Sequence, residues 1–145
     1  MSLVVFLIFR TFIPSLAVII SAFADIFMTL TLINFLGIKL SSAGIVAFLM
    51  LIGYSVDTDI LLTNKVLKST NESVNRRIFS AFKTGTTMTL TAIISVGLAL
   101  IFVGGLSKVL NQILTIIFIG LFFDLINTWI TNTSLIKWYA LKKQK

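Results

Sequence analysis

Apolar residues fill four long stretches of the sequence, and short polar connections separate them. An α-helix needs about 20 apolar residues to cross the hydrocarbon core of a bilayer, and each stretch is long enough. The predicted spans cover approximately residues 12–34, 42–64, 84–104 and 111–136. The pattern therefore predicts an all-α fold, a polytopic transmembrane helix bundle over residues 11–145.

Two shorter segments lie outside these spans. Residues 2–9 are apolar but too short to cross a bilayer, so residues 1–10 are expected to be the tail of a truncated transmembrane helix. In residues 69–82, Ser69 and Glu72 form a capping-box pattern, and Val74, Ile78 and Phe82 recur every four positions. This segment predicts a short amphipathic helix on the cytoplasmic membrane surface, with an ordinary solvated loop as the alternative.

Basic residues are divided unevenly between the two ends of the predicted spans. Two of the twelve, Lys39 and Lys108, lie at one end. The other ten are Arg10, Lys65, Lys68, Arg76, Arg77, Lys83, Lys137, Lys142, Lys143 and Lys145. Because cytoplasmic connections carry the excess of Lys and Arg, the ten-residue end is predicted to be cytoplasmic. We therefore expect a multi-pass protein of the cell membrane with a cytoplasmic C-terminus.

The composition removes several classes of function. Hydrophobic residues make up 57% of the chain and charged residues 12%, about half the charged share of a soluble domain, and the mean hydropathy is +1.06. The chain has no Cys and no His, which excludes the thiol nucleophile, the imidazole base and the commonest soft metal ligands. We expect no enzymatic activity, no metal and no cofactor. The net charge of +7 is attributed to topology rather than to nucleic-acid binding.

Four aspartates lie inside the predicted spans, where a charged Asp costs about 2.5 to 3.5 kcal/mol at the helix centre. Asp25, Asp57 and Asp124 each share a helical stripe with small or polar residues, and these stripes are predicted to face a common interior. The stripes contain Ser21 and Thr29; Gly53 and Asn64; and Gly120, Asn127, Thr128 and Thr131. Asp59 falls about 200° from Asp57 on the same helix, so it is predicted to face a second helix or a partner subunit, together with Ser55 and Thr63.

The third span carries no acid but has a row of hydroxyl residues. Thr84, Thr87, Thr91 and Ser95 lie within about 60° of one another and are predicted to face the same interior. Lys83 lies at the cytoplasmic mouth of this span as a candidate cation. The candidate ion or proton path is therefore Asp25, Asp57, Asp59, Lys83, Thr84, Thr87, Thr91 and Asp124. The alternatives are that these groups only form interhelical hydrogen bonds, and that Lys83 only extends toward the interface.

Two motifs resemble the SecF family of protein-export membrane proteins. The run Gly53-Tyr54-Ser55-Val56-Asp57-Thr58-Asp59, continuing through Lys65, resembles the family's fourth transmembrane helix, and its Asp-Thr-Asp version is similar to the archaeal branch. Residues 83–91 are similar to the Thr-rich start of the fifth helix. By position, Asp25 matches an acid of the third helix and Asp57 the acid of the related SecD motif. Bacterial SecF has Asn at the position of Asp57 and an acid at that of Thr58, and it has Arg where this chain has Lys83.

The resemblance implies a function that the composition alone does not. It implies half of an RND-type bundle that works with SecD and the SecYE translocon, and that uses a proton gradient to assist the movement of a preprotein across a lipid membrane. The alternative is half of an RND- or MMPL-like exporter of small hydrophobic molecules. In a third interpretation, a structural membrane scaffold, every intramembrane Asp could become Asn without consequence. The residues leave open whether the coupled ion is H⁺ or Na⁺.

The charge asymmetry yields a testable topology. Single cysteines at positions 39 and 108 should react with a membrane-impermeant thiol reagent added outside cells, whereas a cysteine at position 68 should not. The chain has no native Cys, so the labelling background is clean. Reversed labelling would contradict the orientation.

Overall fold

The structure is a computed structural model that describes residues 12–68, 73–103 and 105–143. Every regular element in these ranges is helical, which confirms the predicted all-α class. The elements are α1 (Phe12–Phe35), α2 (Ser42–Lys68), α3 (Val74–Val103), α4 (Lys108–Asn127), a π-helical turn (Thr128–Asn132) and α5 (Thr133–Lys143). In these described ranges, four helical stretches are long and apolar enough to cross a membrane. The expectation for residues 1–10 lies outside the described residues.

The fourth span is one continuous helix that contains a π-helical turn. Thr128 and Thr133, at the two junctions of the π-helical turn, both have right-handed helical backbone angles. The helical stretch that is long and apolar enough to cross a membrane accordingly runs from Lys108 to Lys142. A π-helical turn contains one more residue than an α-helical turn, so it changes which side chains follow the inner face beyond it.

The third span begins earlier than the sequence pattern predicts. Helix α3 runs without interruption from Val74 to Val103, so residues 74–82 are its first turns and do not form a separate surface helix. Gly85, the first glycine of this helix, lies against the ring of Trp129. The ring of Phe82 meets the same ring edge-on, with 4.8 Å between the ring centroids. Arg77 in these first turns is buried and donates to the carbonyl oxygen of Val66.

The described helices assemble around α4. It packs against α1, α2 and α3, and α2 packs between α1 and α3. Small residues allow the close approach: a Cβ on Gly120 of α4 would overlap the side chain of Leu51 on α2. The outer surface is apolar, with Phe23, Phe27 and Ile101 among its most exposed side chains. Large apolar residues outside and polar residues inside are the arrangement expected in lipid.

The α1–α2 connection is closed by a Schellman motif. Gly37 has φ of +70°, and Ile38 N–H donates to the carbonyl of Ile33 at 3.1 Å while Gly37 N–H donates to that of Asn34 at 3.0 Å. Gln112 of α4 then fixes the connection: it accepts from the Ser41 hydroxyl and donates to the Lys39 carbonyl, both at 2.5 Å. This end of the bundle, which we call the two-lysine end, carries Lys39 and Lys108.

Gly120→Ala tests the close approach of α4 and α2. The added methyl group should force Leu51, only 1% exposed, out of its packed position. Overpacking of this kind costs about 1 to 3 kcal/mol, so the melting temperature in detergent should fall. Gly53→Ala is the matched control, because nothing lies within 4 Å of a Cβ there. Equal melting temperatures for the two variants would contradict the packing.

Candidate functional site

Three aspartates meet where α1, α2 and α4 pack together. Asp25 is 1% exposed, and Asp59 and Asp124 are fully buried. We call these three residues the acidic cluster. Each comes from a different helix, so the cluster exists only when the bundle is assembled.

Asp25 joins α1 to both of its neighbours. The Ser55 hydroxyl of α2 donates to Asp25 Oδ2 at 2.6 Å, and the Asn127 amide of α4 donates to Asp25 Oδ1 at 2.9 Å. The same amide reaches the Ser21 carbonyl at 2.9 Å and the Ser21 hydroxyl at 3.1 Å. Both oxygens of this carboxyl group therefore have donors, which offsets much of the cost of burying it.

Thr128 lies between the other two carboxyl groups. Its hydroxyl oxygen is 3.1 Å from Asp59 Oδ1 and 3.4 Å from Asp124 Oδ1. A hydroxyl has one hydrogen, so it can donate to only one of these groups at a time. The second oxygens of Asp59 and Asp124 have no hydrogen-bond partner within the described part of the chain. The hydroxyl of Thr128 is therefore shared between two buried carboxyl groups that come from different helices.

Other buried polar residues extend the cluster toward both ends of the bundle. Thr29 continues it one turn along α1 toward the two-lysine end, and Thr63 continues it one turn along α2 toward the opposite end. Asn132 is also fully buried, beside Asp59, and its two amide atoms have no hydrogen-bond partner among the described residues.

The structure corrects the prediction for one of the two aspartates on α2, whereas Asp59 faces another helix through Thr128, as predicted. Asp57, predicted to face the interior, is exposed on the outer side of the bundle, whereas Asp59 is in the interior. The two side chains do point in different directions, as their spacing predicted. The inner face is the one that carries Ser55 and Thr63, because the neighbouring helices supply hydrogen-bonding partners there for Ser55 and Asp59.

The Thr row of α3 also faces outward. Thr87 and Thr91 are exposed, and Thr84 is half-buried. Each of these hydroxyls, and that of Ser95, donates to the carbonyl of the residue four positions earlier. Because a backbone carbonyl of the same helix accepts the hydrogen bond, these hydroxyls need no partner on a neighbouring helix. The prediction that this row faces the common interior is therefore wrong for Thr87, Thr91 and Ser95.

Two lysines lie beside the Thr row. Lys65 of α2 donates to the Thr84 hydroxyl at 2.6 Å, which fixes the beginning of the row next to α2. Lys83 is exposed on the outer side. The inner face of α3 carries Ala81, Gly85 and Thr89 instead.

The sequence pattern did not predict Asn132 on the inner face of the fourth span and predicted Thr131 there instead. Thr131 is exposed and Asn132 is buried, because the π-helical turn adds one residue before the inner face repeats. The signal lay further along the chain: Asn132, Ile136 and Ala140, all buried, continue the spacing of four that begins at Asp124 and Thr128, one residue later than Thr131. In the part of the chain that the structure describes, no three or more acidic, His or Cys side chains are arranged to hold a metal ion.

Membrane-spanning helices around buried carboxyl groups define a multi-pass integral membrane protein. Residues 1–142 match the family model described as "Protein export membrane protein SecD/SecF, C-terminal". The chain belongs to this family, which confirms the resemblance that its motifs carry.

Several curated relatives are named "Protein-export membrane protein SecF". The chain is 46% identical to that of Methanothermobacter thermautotrophicus over 96% of this chain and 50% of the relative. It is 47% identical to that of Methanocaldococcus jannaschii, over 96% and 50%, and 41% identical to that of Pyrococcus furiosus, over 99% and 48%. The chain thus spans about half the length of these relatives. No solved structure matches it.

Ser55→Ala tests the hydrogen bonds that support the cluster. Removing the hydroxyl leaves Asp25 Oδ2 without its donor from Ser55 in a buried position, at a cost of about 1 to 3 kcal/mol. The melting temperature in detergent should therefore fall. Ser95→Ala is the control, since that hydroxyl is exposed and bonded only within its own helix. A fall of the same size in both variants would show that Ser55 contributes nothing specific.

Proposed function

We propose that the chain is the membrane-embedded part of a SecF-type accessory subunit in protein export. In this role it works with SecD and the SecYE translocon, and it uses the proton gradient to assist the movement of a preprotein across the cell membrane. The subunit performs no enzymatic turnover, and its C-terminus is cytoplasmic. The family match and the names of the relatives support the export role.

The acidic cluster is the observation that carries the coupling to protons. Asn or Ser would join the helices with a lower desolvation cost than Asp, so a purely structural role does not account for three carboxyl groups. Asp59 and Asp124 share one hydroxyl hydrogen from Thr128 and each has an oxygen without a described partner. In this proposal, these carboxyl groups bind a proton and release it when a helix movement or entering water changes their solvation.

The buried polar residues suggest the direction of the path. Thr29 lies on the side of Asp25 that faces the two-lysine end, and Asn132 and Thr63 lie on the side of Asp59 that faces the other end. We propose that a proton enters and leaves the acidic cluster past these residues. The proposed path therefore runs between α1, α2 and α4.

Polar residues on the outer side of α2 and α3 are the basis for proposing a membrane-protein partner. Asp57, Lys83, Thr87 and Thr91 are exposed on α2 and α3. A charged Asp facing lipid at this depth costs about 2.5 to 3.5 kcal/mol, whereas a protein surface with donors would satisfy it. We propose that SecD covers this surface, with Thr84 at its edge. The alternative function, an exporter of small hydrophobic molecules, shares the buried acids, but no specific observation favours it.

Asp59→Asn and Asp57→Asn are a matched pair on one helix. Asn keeps the shape of Asp but cannot release a proton at physiological pH. In vesicles that contain the full-length protein, SecD and SecYE, Asp59→Asn should abolish proton-gradient-dependent translocation and leave co-purification with SecD unchanged. Asp57→Asn should weaken the co-purification and retain gradient-dependent stimulation in the complexes that form.

The opposite pattern would contradict the interior path and would favour a path on the outer surface. Normal translocation by both variants would favour the structural scaffold, in which the aspartates only join helices. Replacing the proton gradient with a sodium gradient identifies the ion: full stimulation by sodium alone would refute the proton.

A further inference from the structure

A cavity of about 350 Å³ lies at the two-lysine end of the bundle. Its lining comes from the α1–α2 connection, the α3–α4 connection and the first two turns of α4. Lys39 and Lys108 both line it, together with Asn111, Gln112 and Thr115. The two basic residues of this end are far apart in the sequence, and the fold brings both of them to one cavity.

Within residues 12–68, 73–103 and 105–143, no carboxyl group forms an ion pair with either of these two ammonium groups. The sequence has five acidic residues: Asp25, Asp57, Asp59, Glu72 and Asp124. Asp25 is the nearest along its helix to this end, yet it lies ten residues before the end of α1, or about 15 Å at 1.5 Å per residue. Both lysines are exposed at this cavity, so an external anion bound there is attracted to two positive charges.

The polar lining is held in a fixed geometry. Gln112 bonds to the Lys39 carbonyl and to Ser41, so it locks the α1–α2 connection against α4. Thr115 donates to the side-chain oxygen of Asn111 at 3.2 Å. The cavity thus places two cations beside a fixed polar lining, and paired cations are the chemistry that recognises a phosphate group.

The surroundings distinguish a lipid from a soluble phosphate. Large apolar side chains are exposed around this end of the bundle: Leu36 is 54% exposed, Leu106 81% and Val109 53%. These positions are next to the cavity lining in the sequence and suit contact with acyl chains. We propose that the cavity binds the phosphate headgroup of an anionic phospholipid, whose acyl chains lie along the apolar side chains of the helix ends.

A lipid in this position adds a link between two parts of the chain that Gln112 already joins. Its phosphate contacts the α1–α2 connection through Lys39 and the start of α4 through Lys108. It therefore stabilises the end of the bundle that has fewer charges, independently of the acidic cluster.

Lys39→Gln combined with Lys108→Gln tests the site. Binding of phosphatidylglycerol to the purified full-length protein is measured by native mass spectrometry, with phosphatidylcholine as the uncharged comparison. Wild-type protein should prefer phosphatidylglycerol, and the double variant should bind it about 30-fold more weakly, since each lysine near a lipid surface contributes about fivefold. The variant should fold normally because the Gln112 bond uses the backbone of residue 39.

Lys137→Gln combined with Lys142→Gln is the matched control, because it removes the same charge from the other end of the bundle. It should leave the tightly bound phosphatidylglycerol in place. Unchanged lipid binding by the Lys39 and Lys108 variant, or equal binding of phosphatidylcholine, would overturn the proposal. If inorganic phosphate at the same concentration displaces the lipid, the occupant is a soluble anion and the lipid assignment is wrong.

Discussion

The burial of three carboxyl groups between helices is the constraint on which the rest of the structure depends. In a bilayer, no water is available to hydrate them, so the neighbouring helices must supply donors. Ser55 links α2 to α1, Asn127 links α4 to α1, and Thr128 links α4 to α2. These three links form a triangle that fixes the rotation of each helix about its own axis. Van der Waals packing alone would specify these rotations less strictly, because apolar side chains are also satisfied by lipid.

Helix α3 stands outside this triangle and differs in character. It joins the bundle through small residues and through the ring of Trp129, and its span is the least buried of the four. Its outward surface, together with that of α2, carries hydroxyl and charged groups that face no described neighbour. The bundle therefore has polar groups that link helices in the interior, and exposed hydroxyl and charged groups on α2 and α3.

Much of this arrangement was predictable from the sequence, and the failures have definite causes. The spans, the interior positions of Asp25 and Asp124, and the roles of Ser21, Asn127 and Thr128 follow from apolar length and helical spacing. Asp57 and Asp59 could not be ordered in this way, because both lie on stripes of small or polar residues and only the donors on other helices distinguish them. The prediction for the Thr row of α3 failed for a related reason, because a hydroxyl can donate to a carbonyl of its own helix.

The π-helical turn has a consequence for chain length. In an uninterrupted α-helix, Thr131 would occupy the inner face, as the sequence spacing predicted. Each later position on that face would then lie one residue earlier in the sequence than it does in the structure. Deleting one exposed residue, such as Ile130, would convert the turn to an α-helix while Asp124, Thr128 and Asn132 kept their common face. The same deletion elsewhere in the span would rotate all later side chains by about 100°. The segment from Thr128 to Asn132 is therefore where this span can absorb a one-residue difference in length and still present its polar side chains inward.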